Sequence, residues 1–461
     1  MRVSITVSRR LVLRAGAVAT AAAIARPWAA RAAEADLVLI SLADLHSPYA
    51  QLPRILTHVK RITATAGAPV RILINGDVFE RGNVVALRSN GAVDLSFLRA
   101  LSAIAPVIVN LGNHETALYD DPKLAVAALR ECGATVISNI VDPRTGETYA
   151  PPALRFRLGA NEVAIMGVAT NSLPTYRQVV RPLMNIPQPV EYAKETIGKL
   201  TQGARVAVVM SHAGVGADKE ILRMMPARSL LIGGHDHLRL DYEDLEKRAF
   251  FHGGSWGNHI RVIAIDSRVN DGPRMTISEI ATNDAAPDAT LAAQVEAEES
   301  KHLAAEDKVE IVKLSRAYDL AESALMATDA IRKAASADVA FLNHTSFGDG
   351  LPAGSVNRYR FDSFLRFDGD VRATTVDGAT LSDILRGANQ YKAATLDTRT
   401  GDFVYANELA IDPAARYRIA ANGWTTMSQQ SYLGRTGLTF DVVPNVMVKP
   451  TVVEGLKIAG R

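Results

Sequence analysis

A layered α/β fold is predicted for the first half of the chain, because short apolar runs alternate with amphipathic stretches of helical length. The apolar runs lie at residues 37–42, 72–74, 107–109, 206–210 and 230–232. Runs that are almost continuously apolar are typical of strands buried on both faces of a sheet. The stretches of helical periodicity between them lie at residues 52–66, 95–104, 123–132 and 190–201. Strands that alternate with helices in this way form sheets covered by helices.

Each apolar run is followed, within a few residues, by side chains of the types that bind metal ions. Ligands in open α/β sheets collect at the carboxyl ends of the strands, so we expect these side chains to lie together. One such motif is more typical of a turn or a loop histidine, but five at successive strand ends indicate a metal centre. The residues concerned are Asp44, His46, Asp77, Asn113, His114, His212, His235 and His237.

Length and composition restrict the class of protein. A chain of 461 residues, 48% of them hydrophobic, has room for two or three domains. The formal net charge of +2 arises from 51 basic and 49 acidic residues, without the basic excess that nucleic-acid binding requires. The single cysteine, Cys132, excludes an intrachain disulfide framework. Because it lies in a helix-like stretch, we expect it to be packed rather than catalytic.

The N-terminus has the features of an export signal. Paired arginines at positions 9 and 10 precede an alanine-rich run at residues 15–25, which is too short to span a bilayer. The small residues around position 31 resemble a cleavage site. We therefore predict a twin-arginine-type (Tat) signal peptide at residues 1–32, with the Tat export machinery as a partner and a periplasmic location. No later stretch reaches 18 uninterrupted apolar residues, so no stable membrane anchor is expected.

The strand-end motifs together resemble those of the calcineurin-like metallophosphoesterases, in the 5′-nucleotidase family of the bacterial periplasmic type. The stretch at residues 253–257, Gly-Gly-Ser-Trp-Gly, adds to this likeness. The resemblance implies a four-layer α/β/β/α sandwich over residues 36–269, followed by a helical linker at residues 270–309. Residues 310–461 resemble the α+β substrate-binding domain of 5′-nucleotidases, through segments 337–340, 351–354 and 377–381.

The resemblance also implies two divalent metal ions and a set of ligands. A mixture of imidazole, carboxylate and amide ligands suits Mn, Zn or Fe better than Mg, and the sequence does not choose among the three. His114 is left over from ligation, and the resemblance gives it the catalytic role of protonating the leaving group. The family pattern assigns one metal to Asp44, His46, Asp77 and His237, and the other to Asp77, Asn113, His212 and His235.

The sequence departs from the family pattern in two places. An aspartate often lies three residues after the catalytic histidine and orients it, but that position is Ala117. Either Asp120 or Asp121 could take its place if the loop folds back. The glycine-rich loop that ends in a phosphate-binding arginine corresponds to residues 343–348, and the arginine position is Gly348.

Four residues of the C-terminal half are therefore expected to bind substrate: Asn343, Arg358, Arg366 and Trp424. The two arginines could supply charge from another angle, the alternative being that they are ordinary surface residues. Trp424 and Phe403 could enclose a base, although core packing also explains Phe403. Asp236, between two ligand histidines, is expected to point outward or to support a ligand. His252 and His259 are interpreted as structural.

We therefore predict a metal-dependent phosphoric ester hydrolase that converts 5′-nucleotides to nucleoside and phosphate. The resemblance implies attack by a metal-bridging hydroxide, with His114 assisting. One alternative is another hydrolase on the same scaffold, such as a 2′,3′-cyclic phosphodiesterase or the thiosulfate-processing relative, which the altered C-terminal loop favours. A second alternative is a non-catalytic protein that binds phosphate compounds, supported by the missing aspartate after His114.

Overall fold

The computed structural model describes residues 34–392 and 395–459. The predicted signal peptide at residues 1–32 lies outside these ranges. Within them, two six-stranded sheets face each other in the N-terminal domain, and a five-stranded sheet forms the centre of the C-terminal domain. Helices cover the outer faces of the two facing sheets, so the predicted α/β/β/α sandwich is confirmed.

The elements of the N-terminal domain follow the predicted alternation. The strands are β1 (Leu37–Ala43), β2 (Val70–Asn75), β3 (Val107–Asn110), β4 (Thr135–Ile137), β5 (Ala153–Leu158), β6 (Asn161–Ala169), β7 (Val206–His212), β8 (Leu230–Gly233), β9 (Arg239–Glu243), β10 (Ala249–Gly253), β11 (His259–Asp266) and β12 (Arg274–Ala281). The helices are α1 (Leu52–Thr65), α2 (Val84–Ser89), α3 (Ala92–Ser102), α4 (Pro122–Glu131), α5 (Pro189–Thr201), α6 (Val215–Met224) and α7 (Ala289–His302).

The strands that carry the predicted ligands are divided between the two sheets. The first sheet has the order β12-β11-β1-β2-β3-β4, and the second has the order β5-β6-β7-β8-β10-β9. Strands β1 to β4 are parallel to one another, as are β6, β7, β8 and β10. The carboxyl ends of β1, β2 and β3 therefore meet those of β7 and β8 at one edge of the sandwich.

Strand β1 is buried on both faces, as its apolar sequence predicts. Leu37 and Leu39 pack in the layer between the two sheets, whereas Val38 and Ile40 pack against the helices outside. Complete burial of one aliphatic side chain contributes about 1.5–3 kcal/mol, so a strand of this type anchors both layers. This anchoring fixes the position at which Asp44 and His46 leave the strand.

The segment predicted as a helical linker begins with a strand. Residues of β12 pair with β11 along the edge of the first sheet, with Met275 and Ile277 against the inter-sheet layer. The polar residues that alternate with them, Arg274, Thr276 and Ser278, made this segment look polar in the sequence. The helix α7 follows, and it packs Leu291 and Val295 against the N-terminal domain. The connection between the domains is therefore part of the first domain over most of its length.

The C-terminal domain has the predicted α+β character. Its strands are β13 (Glu310–Leu314), β14 (Val339–Asn343), β15 (Gly354–Asn357), β16 (Asp370–Asp377), β17 (Val404–Ala406), β18 (Arg416–Asn422) and β19 (Asp441–Met447). The main sheet has the order β17-β14-β18-β16-β19, and β13 pairs with β15 in a separate two-stranded ribbon. The helices are α8 (Leu320–Ala334), α9 (Arg358–Phe364), α10 (Gly378–Arg386), α11 (Gly423–Met427), α12 (Gln429–Leu433) and α13 (Val448–Ala459).

Two buried asparagines connect the sheets of the sandwich next to the predicted metal site. The Nδ2 of Asn75, at the end of β2, donates to the carbonyls of Ser211 and Ile232 at 2.8 and 3.0 Å. The Nδ2 of Asn110, at the end of β3, donates to Asn75 Oδ1 at 3.0 Å and to the Met210 carbonyl at 3.0 Å. These bonds fix the carboxyl ends of strands from the two sheets relative to one another.

Replacement of Asn110 by alanine is expected to lower the free energy of unfolding by about 2–3 kcal/mol. The substitution leaves the Met210 carbonyl and the Asn75 amide oxygen buried without this donor, and one unpaired buried polar group costs about 1–3 kcal/mol. Urea denaturation followed by circular dichroism measures the change. The control is the exposed Asn270, whose replacement by alanine should stay within about 0.5 kcal/mol. Equal effects of the two variants would contradict the bridging role.

Candidate metal centre

Loops in unusual backbone conformations bring the predicted ligands together. The φ angles of five of these residues are positive, a conformation that residues other than glycine rarely adopt. Residues held in this way cluster at functional sites, where the surrounding structure determines their backbone. The five are Asp44 (48°), His46 (55°), Asp77 (57°), His235 (81°) and His237 (55°).

One group of potential ligands consists of Asp44, His46 and His237, each offering an atom within 4.8 Å of the others. The Nε2 atoms of His46 and His237 lie 2.9 Å apart. Asp44 Oδ1 is 3.9 Å from His237 Nε2. Three ligand atoms of these types around one small space suit a divalent transition metal.

Two further groups share Asp77: one consists of Asp44, Asp77 and His212, and the other of His46, Asp77 and His114. The Nε2 of His212 lies 3.2 Å from Asp77 Oδ2 and 3.8 Å from Asp44 Oδ1. Asp77 Oδ2 is also 3.6 Å from His46 Nε2, so this carboxylate lies between the two histidines. Next to His212, the Nδ1 of His235 lies 2.9 Å from Asn113 Oδ1. The structure thus brings together all seven residues that the sequence predicts as ligands.

Three of the four histidines predicted as ligands have the protonation state that metal binding requires. Burial lowers the pKa of His46 to about 4 and that of His235 to about 3, and it holds the pKa of His237 well below its usual range. A neutral imidazole keeps a lone pair free for a metal ion. Three buried neutral imidazoles facing carboxylates are therefore suitable ligands.

The carboxylates of the site need a cation. Burial raises the pKa of Asp44 to about 8, and the pKa of the buried Glu115 is raised to about 7 by burial and by Asp77. The pKa of His212 rises to about 10 because Asp77 and Asp44 outweigh the effect of burial. The Nε2 of His212 is buried and makes no hydrogen bond, although it faces both aspartates. Since buried anions are stable only when paired, these residues fit divalent metal ions.

The loops around the site are fixed by backbone hydrogen bonds to carboxylates. Glu115 accepts from the Val78 amide at 2.9 Å and from the Gly112 amide at 2.6 Å, which ties two ligand loops together. Asp77 Oδ1 accepts from the His114 amide at 2.7 Å. Sequence reasoning gave Glu115 no role, although it follows directly on Asn113 and His114 and is almost fully buried.

His114 lies at the edge of the site, with its side chain 20% exposed to the space between the domains. Neither predicted substitute for the missing aspartate contacts it. Asp120 forms an ion pair with Arg177. Asp121 caps α4 through the Lys123 amide and pairs with Arg144. Both acids are therefore used locally, and neither takes the place of the missing aspartate.

The carboxylate that faces His114 comes from a different loop. Glu80 Oε2 lies 3.4 Å from His114 Nδ1 and 3.2 Å from His46 Nδ1, and it forms an ion pair with Arg366. Arg366 and the histidines hold the pKa of Glu80 below its usual range, against the effect of its burial. Sequence reasoning missed Glu80. An acidic residue three positions after Asp77, in the same loop, was the available signal.

A cleft of about 1310 Å³ opens from His114 between the two domains. Three of the four predicted substrate-binding residues line it: Asn343, Arg366 and Trp424. Arg358 does not, because it lies at the exposed start of α9, outside the cleft. Phe403 is buried and stacks on His344 at 4.5 Å, so it belongs to the core.

Comparisons with known proteins agree with this arrangement. Residues 38–239 match the calcineurin-like phosphoesterase family, and residues 310–445 match the C-terminal domain of 5′-nucleotidases. The chain has a calcineurin-like phosphoesterase domain followed by a 5′-nucleotidase C-terminal domain. This phosphoesterase thus belongs to a family of hydrolases that use divalent metals, as the strand-end motifs predict.

Solved structures share the fold over nearly the whole chain. The 5′-nucleotidase precursor of Thermus thermophilus is 17% identical and has a TM-score of 0.62, covering 92% of this chain and 96% of its own. The sulfate thiohydrolase SoxB of Thermus thermophilus is 14% identical and has a TM-score of 0.64, covering 93% and 95%. At identities this low, the structural matches show a common two-domain fold and nothing more.

A curated relative matches a smaller part of the phosphoesterase. The uncharacterized metallophosphoesterase YunD of Bacillus subtilis (strain 168) is 22% identical over 203 residues. This match covers 43% of each chain, so the phosphoesterase spans less than half the length of this relative. In the part of the chain that the structure describes, no helix has the length and apolar character needed to cross a membrane.

The phosphoesterase has no room for an arginine at position 348. A side chain on Gly348 would overlap the Ser363 carbonyl and meet Trp256 Cζ2 at 2.9 Å. The Arg366 guanidinium instead lies 5.3 Å from the centre of the Trp256 ring and reaches the cleft from there. Positive charge is therefore retained in the cleft, but it comes from a different part of the C-terminal domain.

Three further residues near the centre have supporting positions. Asp236 is buried and accepts from the Val215 amide at 2.5 Å, so it does not point outward. It holds the loop that follows the predicted ligand His212. The His252 Nε2 lies 2.8 Å from an oxygen of Asp218 in the core. His259 Nε2 lies 4.0 Å from Glu279 on the adjacent strand. The structure places both histidines outside the groups of potential ligands.

Proposed function

We propose that this phosphoesterase hydrolyses phosphate monoesters, with 5′-nucleotides as substrates and nucleoside and phosphate as products. The observation that carries the proposal is the position of Asp77, whose carboxylate lies 3.6 Å from His46 Nε2 and 3.2 Å from His212 Nε2. One carboxylate between two groups of ligands is the arrangement that two adjacent metal ions require. The proposed ligands are Asp44, His46, Asp77, Asn113, His212, His235 and His237, and the proposed ions are Mn, Zn or Fe.

The two ions, when bound, would supply an activated water and neutralise charge on the phosphoryl oxygens. The residues of the chain contribute the remaining steps. Arg366 places a guanidinium beside the site and stabilises negative charge on the phosphoryl group. His114 lies on the cleft side, where it protonates the oxygen of the leaving group as the ester bond breaks. The cleft between the domains holds the leaving group and limits access of water.

The wall of the cleft suits a nucleoside. Asn343 is fixed by its amide oxygen, which accepts from Asn422 Nδ2 at 2.7 Å and from Ser346 Oγ at 2.7 Å. Trp424 is 39% exposed and offers an indole face to the cleft, with its Nε1 directed to Tyr432. Polar groups that bind hydroxyls, next to an exposed aromatic ring that can stack on a base, support a nucleotide as substrate.

The altered loop at Gly348 favours a second candidate, a hydrolase with another substrate on the same scaffold. The Ser363 carbonyl and Trp256 leave no room at position 348 for the arginine of the family pattern, so the phosphate or a different oxyanion is held from another direction. Candidates are a 2′,3′-cyclic nucleotide or a sulfur-containing substrate such as that of the thiohydrolase SoxB. We also propose export to the periplasm by the twin-arginine route, supported by the sequence of residues 1–32.

Phosphate release from a panel of substrates tests the proposal. The mature protein loaded with Mn is expected to release phosphate from AMP or a related monophosphate, and chelator is expected to abolish the release. Trp424→Ala should then raise KM for AMP more than KM for an aryl phosphate, which has no base to stack. Hydrolysis of the aryl phosphate without turnover of any nucleoside monophosphate would support the second candidate. Failure with every ester, cyclic nucleotides included, would contradict the proposed function and the cyclic-nucleotide form of the second candidate.

A further inference from the structure

Glu80 connects three groups that come from separate parts of the fold. Its Oε2 atom lies 3.4 Å from His114 Nδ1 and 3.2 Å from His46 Nδ1, and the same atom accepts from the Arg366 guanidinium. The other oxygen accepts from the Gly82 amide at 2.7 Å, so the carboxylate has little freedom to turn. The side chains of Glu80 and Arg366 are only 4% and 3% exposed.

The orientation of His114 depends on this carboxylate. The backbone of His114 is fixed by Asp77, but its Nδ1 is buried and makes no hydrogen bond, and Glu80 is the acid that faces it. The His46 ring meets the His114 ring edge-on at 4.7 Å and limits its rotation. With Nδ1 turned toward Glu80, the exposed edge of the ring faces the cleft, where the leaving group would lie.

We propose that Glu80 is the positioning residue for His114 and that Arg366 makes this positioning depend on the C-terminal domain. Glu80 takes the role that an aspartate at position 117 would have, from a different loop of the same domain. A buried carboxylate without a cation is costly, so the Arg366 guanidinium holds Glu80 in place only while the two domains are in contact. This inference rests on the proposed function, because it concerns the residue that protonates the leaving group.

Glu80→Gln tests the positioning. The substitution keeps the shape of the side chain but places an amide or a neutral oxygen next to His114 Nδ1. With saturating Zn and an alkyl phosphate, whose poor leaving group needs protonation, kcat is expected to fall about 10–100-fold, as for other residues that orient a functional histidine, while KM changes less than about 3-fold. The matched control is Glu162→Gln, which removes a surface pair with Arg155 and should leave both constants unchanged.

Nuclear magnetic resonance of the Zn-loaded protein gives a readout that does not depend on turnover. Long-range proton–nitrogen correlations identify which imidazole nitrogen carries the proton, and His114→Ala assigns the His114 signals. The wild type is expected to show a protonated Nδ1, and Glu80→Gln is expected to lose that preference. Unchanged His114 signals in Glu80→Gln would overturn the inference, even if the wild type hydrolysed none of the esters and the proposed function failed.

Saturation with metal separates His114 from His46, which also contacts Glu80. If excess Zn restores wild-type kcat to Glu80→Gln, Glu80 acts only by holding His46 as a ligand, and the inference is overturned. The double variant Glu80→Gln with Arg366→Met tests the dependence on the C-terminal domain. It is expected to be no slower than Arg366→Met alone, because the two residues act as one unit. Additive losses in kcat would overturn the dependence on Arg366. Thermal melting of each variant checks that it is folded.

Discussion

Replacement of His114 by alanine is expected to lower kcat by about 10²–10⁴-fold while both metal ions stay bound. His114 belongs to none of the proposed ligand sets, and its side chain reaches the cleft, so its loss removes the proton donor without removing a ligand. The leaving alkoxide would then depart without protonation, which is the costly step for an unactivated ester. Steady-state kinetics with AMP and with an aryl phosphate measures the loss.

The choice of ester makes this prediction selective. An aryl phosphate with a good leaving group needs little protonation, so His114→Ala should affect it less than AMP. Metal content, measured by mass spectrometry, should equal that of the wild type. If the wild type hydrolyses neither ester and His114→Ala binds nucleotide as tightly as the wild type, the non-catalytic alternative is supported instead.

Asp77→Asn is expected to remove at least one metal ion and to lower kcat by about 10³-fold or more. The asparagine still accepts from the His114 amide through its oxygen, so the loop keeps its hydrogen bond. It lacks the negative charge that lies between His46 and His212, and a neutral amide bridges two cations poorly. Metal content per protein chain is the primary measurement, and kcat at saturating metal is the second.

Asp94→Asn is the matched control for the loss of Asp77. Asp94 is as deeply buried in the same domain, where it accepts from the Tyr49 hydroxyl at 2.8 Å, but it belongs to none of the groups of potential ligands. Burial raises the pKa of Asp94 to about 7, so near neutral pH the folded protein holds it partly protonated. Its replacement should leave metal content unchanged. Full metal content in Asp77→Asn would contradict the bridging position.

Much of the fold could be predicted because the buried strands have an unambiguous pattern. Strands such as β1 are apolar on both faces, and the polar residues that follow them mark where each strand ends. The connection at residues 270–309 could not be predicted in the same way. In β12 the apolar residues Met275 and Ile277 on the inter-sheet layer alternate with polar ones, so composition alone suggested a solvated helix. This segment is a strand because it pairs with β11. Strand pairing depends on the rest of the sheet and cannot be read from local composition.

The metal centre was more predictable than the residues that support it. Histidines and aspartates at strand ends have few other uses together, so their types and positions were informative. The role of Glu80 depends on the approach of Arg366, 286 residues later in the chain, and no local pattern reports this contact. The same applies to Arg358, which lies near Arg366 in the sequence but on the exposed start of a helix.

The contact between Gly348 and Trp256 means that the two domains are not interchangeable modules. Transfer of an arginine-ended loop from a 5′-nucleotidase would drive a side chain of the C-terminal domain into an indole of the N-terminal domain. Trp256 in turn stacks on His46 at 5.1 Å, so making it smaller would disturb the metal centre. A chimera joined at the domain boundary would inherit this clash. A side chain at position 348 also overlaps the Ser363 carbonyl, so redesign of substrate preference has to move this loop as well as vary position 256.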